Sequence, residues 1–354
     1  MVKTVPIHIG IVGAGFWATT ARMPILADLN SVRLVSVCSR SSLRRKLAKK
    51  MFHIPESFSS MENLILSHSC EAVIICTPNF LHARHVALAL EQGLDVFVEK
   101  PLAISVEEAN CLRKIVQTSR GILRVGYDRR AWANLQFIKK FIDKEYFGKI
   151  HTFRIISKSN HAAWAYKTKM PPEDYRLLTG WTKEDGPNYR SSPEKCGGGA
   201  VIELASHLID QLLWLTNSRA VIVSCEKKSE IGHMELSAKI SILLDCGTWG
   251  EIELDVDWSG KSISFCEVIG SRGKAIATGC TNLIVNDQVI DIKYSQDVTH
   301  NILLSFIHEI AGNKVEVSCS YEEATKVILI VEACYASMLI GNYIAVNDFP
   351  ILSK

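Results

Sequence analysis

From residue 7 to about residue 126, short apolar runs alternate with amphipathic segments. Ile7–Val12, Arg33–Cys38, Ala72–Cys76, Asp95–Val98 and Leu123–Gly126 read as strands. A continuous run such as Ala72–Cys76 suits a strand buried on both faces. Between the strands lie helical stretches. One opens at Ala18, and one runs to Gln92 with Gly93 as its C′ residue. Another starts at Ser105, where Ser105 and Glu108 fit a capping box, and runs to about Thr118. Strand and helix alternating at this spacing predict a parallel, doubly wound sheet.

The pattern changes after Tyr127. A helix is expected over Ala133–Lys144 and a strand over Ile150–Ser157. His161–Lys195 follows without periodicity, aromatic and basic, with Pro171-Pro172 and Gly186-Pro187; a loop of that length is usually functional. Gly197-Gly198-Gly199 leads into an apolar helix, Ala200–Leu215. From Val221 to Ile292 strand follows strand, with turns near Asp245-Cys246-Gly247, Gly260, Ser271-Arg272-Gly273 and Asn286-Asp287. A mostly antiparallel sheet is expected there, closed by helices near Ile302–Ala311 and Glu322–Ile340. The fold class is therefore α/β with two domains: a Rossmann domain over residues 1–126 and an α+β domain over 127–354.

Composition changes this picture little. The 354 residues are 47% hydrophobic and 22% charged, ordinary for a globular protein. A net charge of +3 is too weak to argue for nucleic acid. No apolar run approaches the roughly 20 residues of a membrane span. Ile7–Val12 flows into a glycine loop and reads as a first strand, not a signal peptide. The 11 cysteines are scattered, without Cys-x-x-Cys, and Cys38, Cys76, Cys266 and Cys334 sit inside apolar runs. They fit small core residues of a reduced, cytoplasmic compartment, and no metal site is expected.

Candidate chemistry begins at Gly13-Ala14-Gly15-Phe16-Trp17-Ala18, which fits G-x-G-x-x-G/A between a strand and a helix. The first glycine permits the turn, the second lets backbone approach a pyrophosphate, and Ala18 allows close helix packing. An NAD site wants an acidic residue roughly 20 positions on, for the ribose 2′-hydroxyl. None occurs from Leu29 to Pro55; the second strand ends instead in Ser39 and Arg40, with Arg44 and Arg45 following. Serine and guanidinium groups suit a 2′-phosphate. NADP is expected over NAD, with Ser39, Arg40 and then Arg44 as contacts; Arg44, Arg45, Lys46, Lys49 and Lys50 also fit a solvated helix face.

Asp95–Val98 delivers Glu99-Lys100-Pro101 to the carboxyl end of a buried strand, where an open α/β sheet binds ligand. Thr77, Pro78 and Asn79 end another strand at the same side, with His82 following. Phe16 and Trp17 belong to the glycine loop and wall the cofactor. On the apolar helix, Glu203, His207 and Asp210 share one face. A structural histidine–carboxylate pair explains them as well as catalysis does.

These pieces together resemble the glucose–fructose oxidoreductase, inositol dehydrogenase and rhizopine-catabolism (Gfo/Idh/MocA) family. The resemblance rests on Gly10–Gly15, Cys76-Thr77-Pro78-Asn79 with His82, Glu99-Lys100-Pro101, Gly126–Arg130, Tyr189-Arg190, Gly197–Gly199, His207–Asp210 and Glu332–Ser337. It implies NAD(P)-dependent oxidoreduction of sugars, cyclitols or related polyols, and an oligomer, a homodimer or homotetramer. It implies that Lys100 is the active-site lysine and His207 the active-site histidine, commonly the acid/base; Lys100 is the alternative proton carrier, and sequence does not divide the role between them. Glu203 stands where many members carry aspartate; it is expected either to orient or charge-stabilise His207 or to mark a subgroup in which another group, such as a tyrosine, handles the proton, and Asp210 is expected to be structural. Glu99 would hold Lys100 or a ribose hydroxyl. Arg130 and Arg190 are expected either to bind substrate or to pair with carboxylates, and Trp164 and Tyr166 either to wall the substrate pocket or to pack their loop. Two other readings stay open: an enzyme with tightly held cofactor that oxidises its substrate transiently, as in some glycosidases or epimerases, and a cofactor-binding regulator without turnover.

Overall fold

A computed structural model of the chain describes residues 6–160, 189–292, 298–313, 315 and 317–346. The chain forms two compact units; the described part of the first comprises residues 6–126, Tyr189, 299–313, 315 and 317–321.

The first unit holds a six-stranded sheet: β1 (Ile7–Val12), β2 (Val32–Cys38), β3 (Glu56–Phe58), β4 (Ala72–Ile75), β5 (Asp95–Val98) and β6 (Leu123–Val125). Their order is β3-β2-β1-β4-β5-β6 and every pairing is parallel. This is the doubly wound arrangement, with the strand order reversing between β1 and β4. Ala72–Ile75 is wholly buried, as its unbroken apolar run demanded. The capping box forms in part. Ser105 accepts from the Glu108 amide at 3.1 Å, but the Glu108 carboxylate accepts from Ile104 N at 3.2 Å. The expected single helix divides at Leu112 into Val106–Cys111 and Arg113–Thr118.

Residues 299–321 join this unit for identifiable reasons. Phe306 packs on Phe97, ring centroids 5.7 Å apart. The Val125 amide donates to Cys319 O at 3.1 Å, which satisfies a group on edge strand β6. Arg124 grips the Glu309 carboxylate, and Tyr321 donates its hydroxyl to Ala109 O at 2.8 Å.

The second unit is built on nine strands: β7 (Ile150–Lys158), β8 (Ala220–Ile231), β9 (Met234–Leu244), β10 (Trp249–Asp255), β11 (Ile263–Gly270), β12 (Gly273–Thr278), β13 (Asn282–Val285), β14 (Gln288–Ile290) and β15 (Ile344–Ala345). Their order is β14-β13-β12-β11-β7-β10-β9-β8-β15. All neighbours are antiparallel except β7 and β10, which run parallel. Period-two alternation sends Phe153, Ile155, Ile252 and Leu254 into the core. Their neighbours Arg154, Glu251 and Glu253 lie on the opposite face of the sheet. The apolar helix predicted over Ala200–Leu215 is realised as a π-turn, Val201–Ala205, continued by the α-helix Ser206–Thr216. Among the described residues no helix is long and apolar enough to cross a membrane.

Candidate functional site

In the first unit the loops after β1, β2, β4 and β5 carry the expected chemistry. Gly13 has φ +100°, and a Cβ there would meet Cys76 O at 2.6 Å, so only glycine serves. Its amide donates to Cys38 O at 2.8 Å, tying the ends of β1 and β2 together. Gly15 is different: a Cβ there would meet no protein atom within 4 Å. That open side is what a pyrophosphate approaching backbone requires. Phe16 is half-buried and Trp17 is 41% exposed. The helix after the loop begins as a π-turn, Ala18–Arg22, a distortion common at functional sites.

At the end of β2, Ser39 is half-buried and Arg40 exposed. Ser41 caps the next helix by accepting from Arg44 N at 3.3 Å. The Arg45 guanidinium donates to Ser39 O at 2.5 Å and Arg40 O at 3.0 Å, so this residue braces the turn rather than lying on a solvated face. Ser39, Arg40 and Arg44, in a stretch of sequence with no acidic residue from Leu29 to Pro55, suit a 2′-phosphate.

Beyond β4, Thr77 Oγ1 contacts His85 Nδ1 at 3.1 Å. Burial lowers the His85 pKa to about 4, so that ring is neutral at pH 7. Asn79 is 2% exposed and accepts from the Tyr189 hydroxyl at 3.3 Å. His82, expected at the cofactor, is 1% exposed, with Nδ1 at 2.6 Å from Pro101 O and Nε2 at 2.8 Å from Thr77 O. Its ring braces the two loops against each other, which leaves little of it for a ligand.

β5 ends as expected, with Lys100 half-buried. Glu99 is 8% exposed and forms an ion pair with Arg22 at 2.5 Å. Arg22 is fully buried, its guanidinium 5.3 Å from the Trp17 ring and 5.5 Å from that of Phe97. It links the glycine loop to the residue before Lys100. A lone arginine inside Ala21–Leu26 was its only signal in the sequence.

The second unit carries the helix-borne residues. The Glu203 carboxylate accepts from Arg190 Nε at 3.2 Å and from the Cys196 thiol at 3.3 Å. Arg190, expected at substrate, is thereby bonded to the presumed partner of His207. His207 is half-buried and meets the edge of Tyr127, ring centroids 5.8 Å apart and nearly perpendicular. Arg130 does not serve as an open substrate contact. It is 2% exposed, donates to both Asp210 oxygens at 2.7 to 3.2 Å, and pairs with Glu323 at 2.8 Å. A buried guanidinium needs such partners, which also gives Asp210 the structural task expected of it. Trp164 and Tyr166 lie outside the described residues.

Sequence reasoning overlooked Glu235 on β9, only 4% exposed. Its carboxylate accepts from the amides of Gly199 (3.0 Å) and Val201 (2.9 Å) and from the Tyr335 hydroxyl (2.9 Å). Burial pushes its pKa up from the usual range, against the pull of these donors.

Comparison with known proteins agrees with this architecture. Residues 7–127 match the GFO/IDH/MocA "Oxidoreductase family, NAD-binding Rossmann fold", and residues 135–276 match a GFO/IDH/MocA C-terminal domain. The chain is 27% identical over 70% of its length to D-glucoside 3-dehydrogenase of Escherichia coli, covering 62% of that protein. It is 26% identical over 60% of its length to scyllo-inositol 2-dehydrogenase (NADP(+)) of Bacillus subtilis, covering 52%. The chain thus spans between about half and three-fifths of these two curated relatives. Its fold superimposes on that of apo scyllo-inositol dehydrogenase from Lactobacillus casei with a TM-score of 0.79, at 18% identity, over 98% of this chain and 100% of the other. The two matched domains, the sheet order and the glycine loop together make the chain a member of the GFO/IDH/MocA oxidoreductase family.

Proposed function

We propose that the chain is an NADP-dependent dehydrogenase or reductase that interconverts a secondary alcohol and ketone on a sugar, amino sugar or cyclitol. The observation that carries this is the cluster of loops at the carboxyl ends of β1, β2, β4 and β5. Gly13–Gly15, Ser39–Arg40, Thr77–Pro78 and Lys100 follow these strand ends in one sheet. The relatives named for glucoside and inositol oxidation support the substrate class, and one of them is named for NADP(+).

The chain's own residues have separable tasks. The glycine loop receives the pyrophosphate, and Ser39 and Arg40, with Arg44, receive the 2′-phosphate. Nicotinamide, when bound, supplies the hydride acceptor or donor. Lys100 donates a hydrogen bond to the reacting oxygen and stabilises its developing negative charge. His207 takes the hydroxyl proton during oxidation and returns it during reduction. Glu203, held by Arg190 and Cys196, favours the imidazolium that forms. Arg22 anchors Glu99 and so fixes the backbone from which Lys100 projects.

Titration of tryptophan fluorescence with NADPH and with NADH tests this. NADPH should bind at least tenfold tighter, and Arg40→Ala should abolish the difference. Equal or NADH-favoured binding refutes the NADP assignment. Binding of neither, with no dinucleotide already bound, refutes the oxidoreductase itself.

A further inference from the structure

The helical run that carries Glu203 and His207 lacks a cap of its own. Its first turn follows Ala200, which has no side-chain acceptor, so the leading amides need a partner from elsewhere. Glu235 supplies it from β9, in the form of one carboxylate oxygen shared by Gly199 N, Val201 N and Tyr335 Oη. Packing around this point is close. A Cβ on Gly199 would stand 2.4 Å from Glu235 O and 2.8 Å from its Oε2. A Cβ on Gly198, at φ +138°, would stand 1.9 Å from Tyr335 Oη. The glycine run thus lets the backbone settle directly on this pair. His207 lies six positions beyond Val201, and over Val201–Ala205 the chain makes a π-turn rather than an α-turn. A π-turn, bonded i→i+5, takes the following residues out of α-helical register, so where it starts sets where every later side chain points.

We propose that Glu235 and Tyr335 are positioning residues for the reaction: together they fix the start of the π-turn and thereby the placement of the His207 imidazole. This rests on His207 being the acid/base. A carboxylate suits the task because all three neighbours donate, and an anion at a helix N-terminus opposes the helix dipole. Neither residue touches substrate in this scheme; both act through the backbone of Gly199 to Val201.

The test compares Glu235→Gln, Glu235→Ala and Tyr335→Phe with the wild-type chain by hydrogen exchange and by steady-state kinetics. Amides in residues 199–207 should exchange at least tenfold faster in Glu235→Ala, with protection in β10 and β11 unchanged. Glu235→Gln keeps one acceptor oxygen and should fall between Glu235→Ala and wild type, as should Tyr335→Phe. With a polyol substrate, kcat should fall 10- to 100-fold in Glu235→Ala while the dinucleotide KM stays within twofold, and Glu235→Gln should recover part of the loss. Wild-type exchange at 199–207 in both Glu235→Gln and Tyr335→Phe overturns the proposal, as does a proportional loss of kcat and dinucleotide affinity. Should Glu235→Ala not fold, those two milder variants still decide it. If the wild-type chain turns over no polyol, the proposed activity fails, while the exchange experiment still judges the positioning role.

Discussion

The two units build their chemistry by opposite means. In the first, each proposed site residue lies within two positions of a strand's end, and its place is set by a few residues of local sequence: Gly13 after β1, Ser39 after β2, Thr77 after β4, Lys100 after β5. In the second, Glu203 and His207 ride on a helical run whose start is held by Glu235 and Tyr335, 28 and 128 residues beyond His207 along the chain. Site residues placed by strand ends tolerate change in their surroundings, because the sheet's ladder holds them. Residues placed by tertiary ties depend on partners that no local motif announces.

Breaking a tertiary tie in the second unit should cost most. Asp210→Ala strips the buried Arg130 of its bidentate carboxylate and leaves it only the part-exposed Glu323 as a paired carboxylate among the described residues. Loss of one member of a buried pair costs about 3–5 kcal/mol. Urea unfolding should show that loss, and Asp210→Asn should recover part of it. A loss below 1 kcal/mol would mean that Glu323 alone satisfies Arg130 and that the second unit is less dependent on such ties than its geometry indicates.

His85 gives the first unit an intermediate effect. Its folded pKa, about 4, lies below the unfolded value of 6.5. The ring therefore favours the folded state above pH 6.5, and that contribution is lost as the pH falls toward 4. The full span is about 3 kcal/mol. Thermal midpoints measured from pH 7 to pH 4 should fall, and His85→Gln should flatten the part of the curve below pH 6.5. An unchanged slope would remove His85 as a cause.

The smallest effect belongs to a purely local device. Ser105→Ala removes a helix cap and should cost about 1 kcal/mol. If this loss equalled that of Asp210→Ala, the contrast between local and tertiary placement would collapse.

Legibility in the sequence follows the same division. Buried parallel strands announce themselves as unbroken apolar runs, and glycine loops, capping residues and turn pairs carry their geometry in their composition. Asn286 and Asp287, for example, both take positive φ in the β13–β14 hairpin, as their residue types favour. β3 and β15 escaped notice because Glu56–Phe58 and Ile344–Ala345 are too short for periodicity to show. The π-turns escaped because i→i+5 bonding leaves no pattern distinct from an ordinary helix. Glu235 lies between buried Met234 and Leu236 and reads as an outward strand residue, yet it is itself buried. Arg130 reads equally as a substrate contact and as a carboxylate's partner until its two carboxylates, 80 and 193 residues away in sequence, are brought to it.

The parallel pairing of β7 with β10 has a consequence for how the second unit comes together in time. β8, β9 and β10 follow one another in a meander, as do β11 to β14, so each set closes through short loops. β7 lies between the two sets, and residues 159–248 intervene before its partner β10 begins. Closing so long a loop carries an entropic cost that only the finished seam repays. β7 is thus the strand that joins the two meanders, and the seam through it closes at a higher entropic cost than the hairpins on either side.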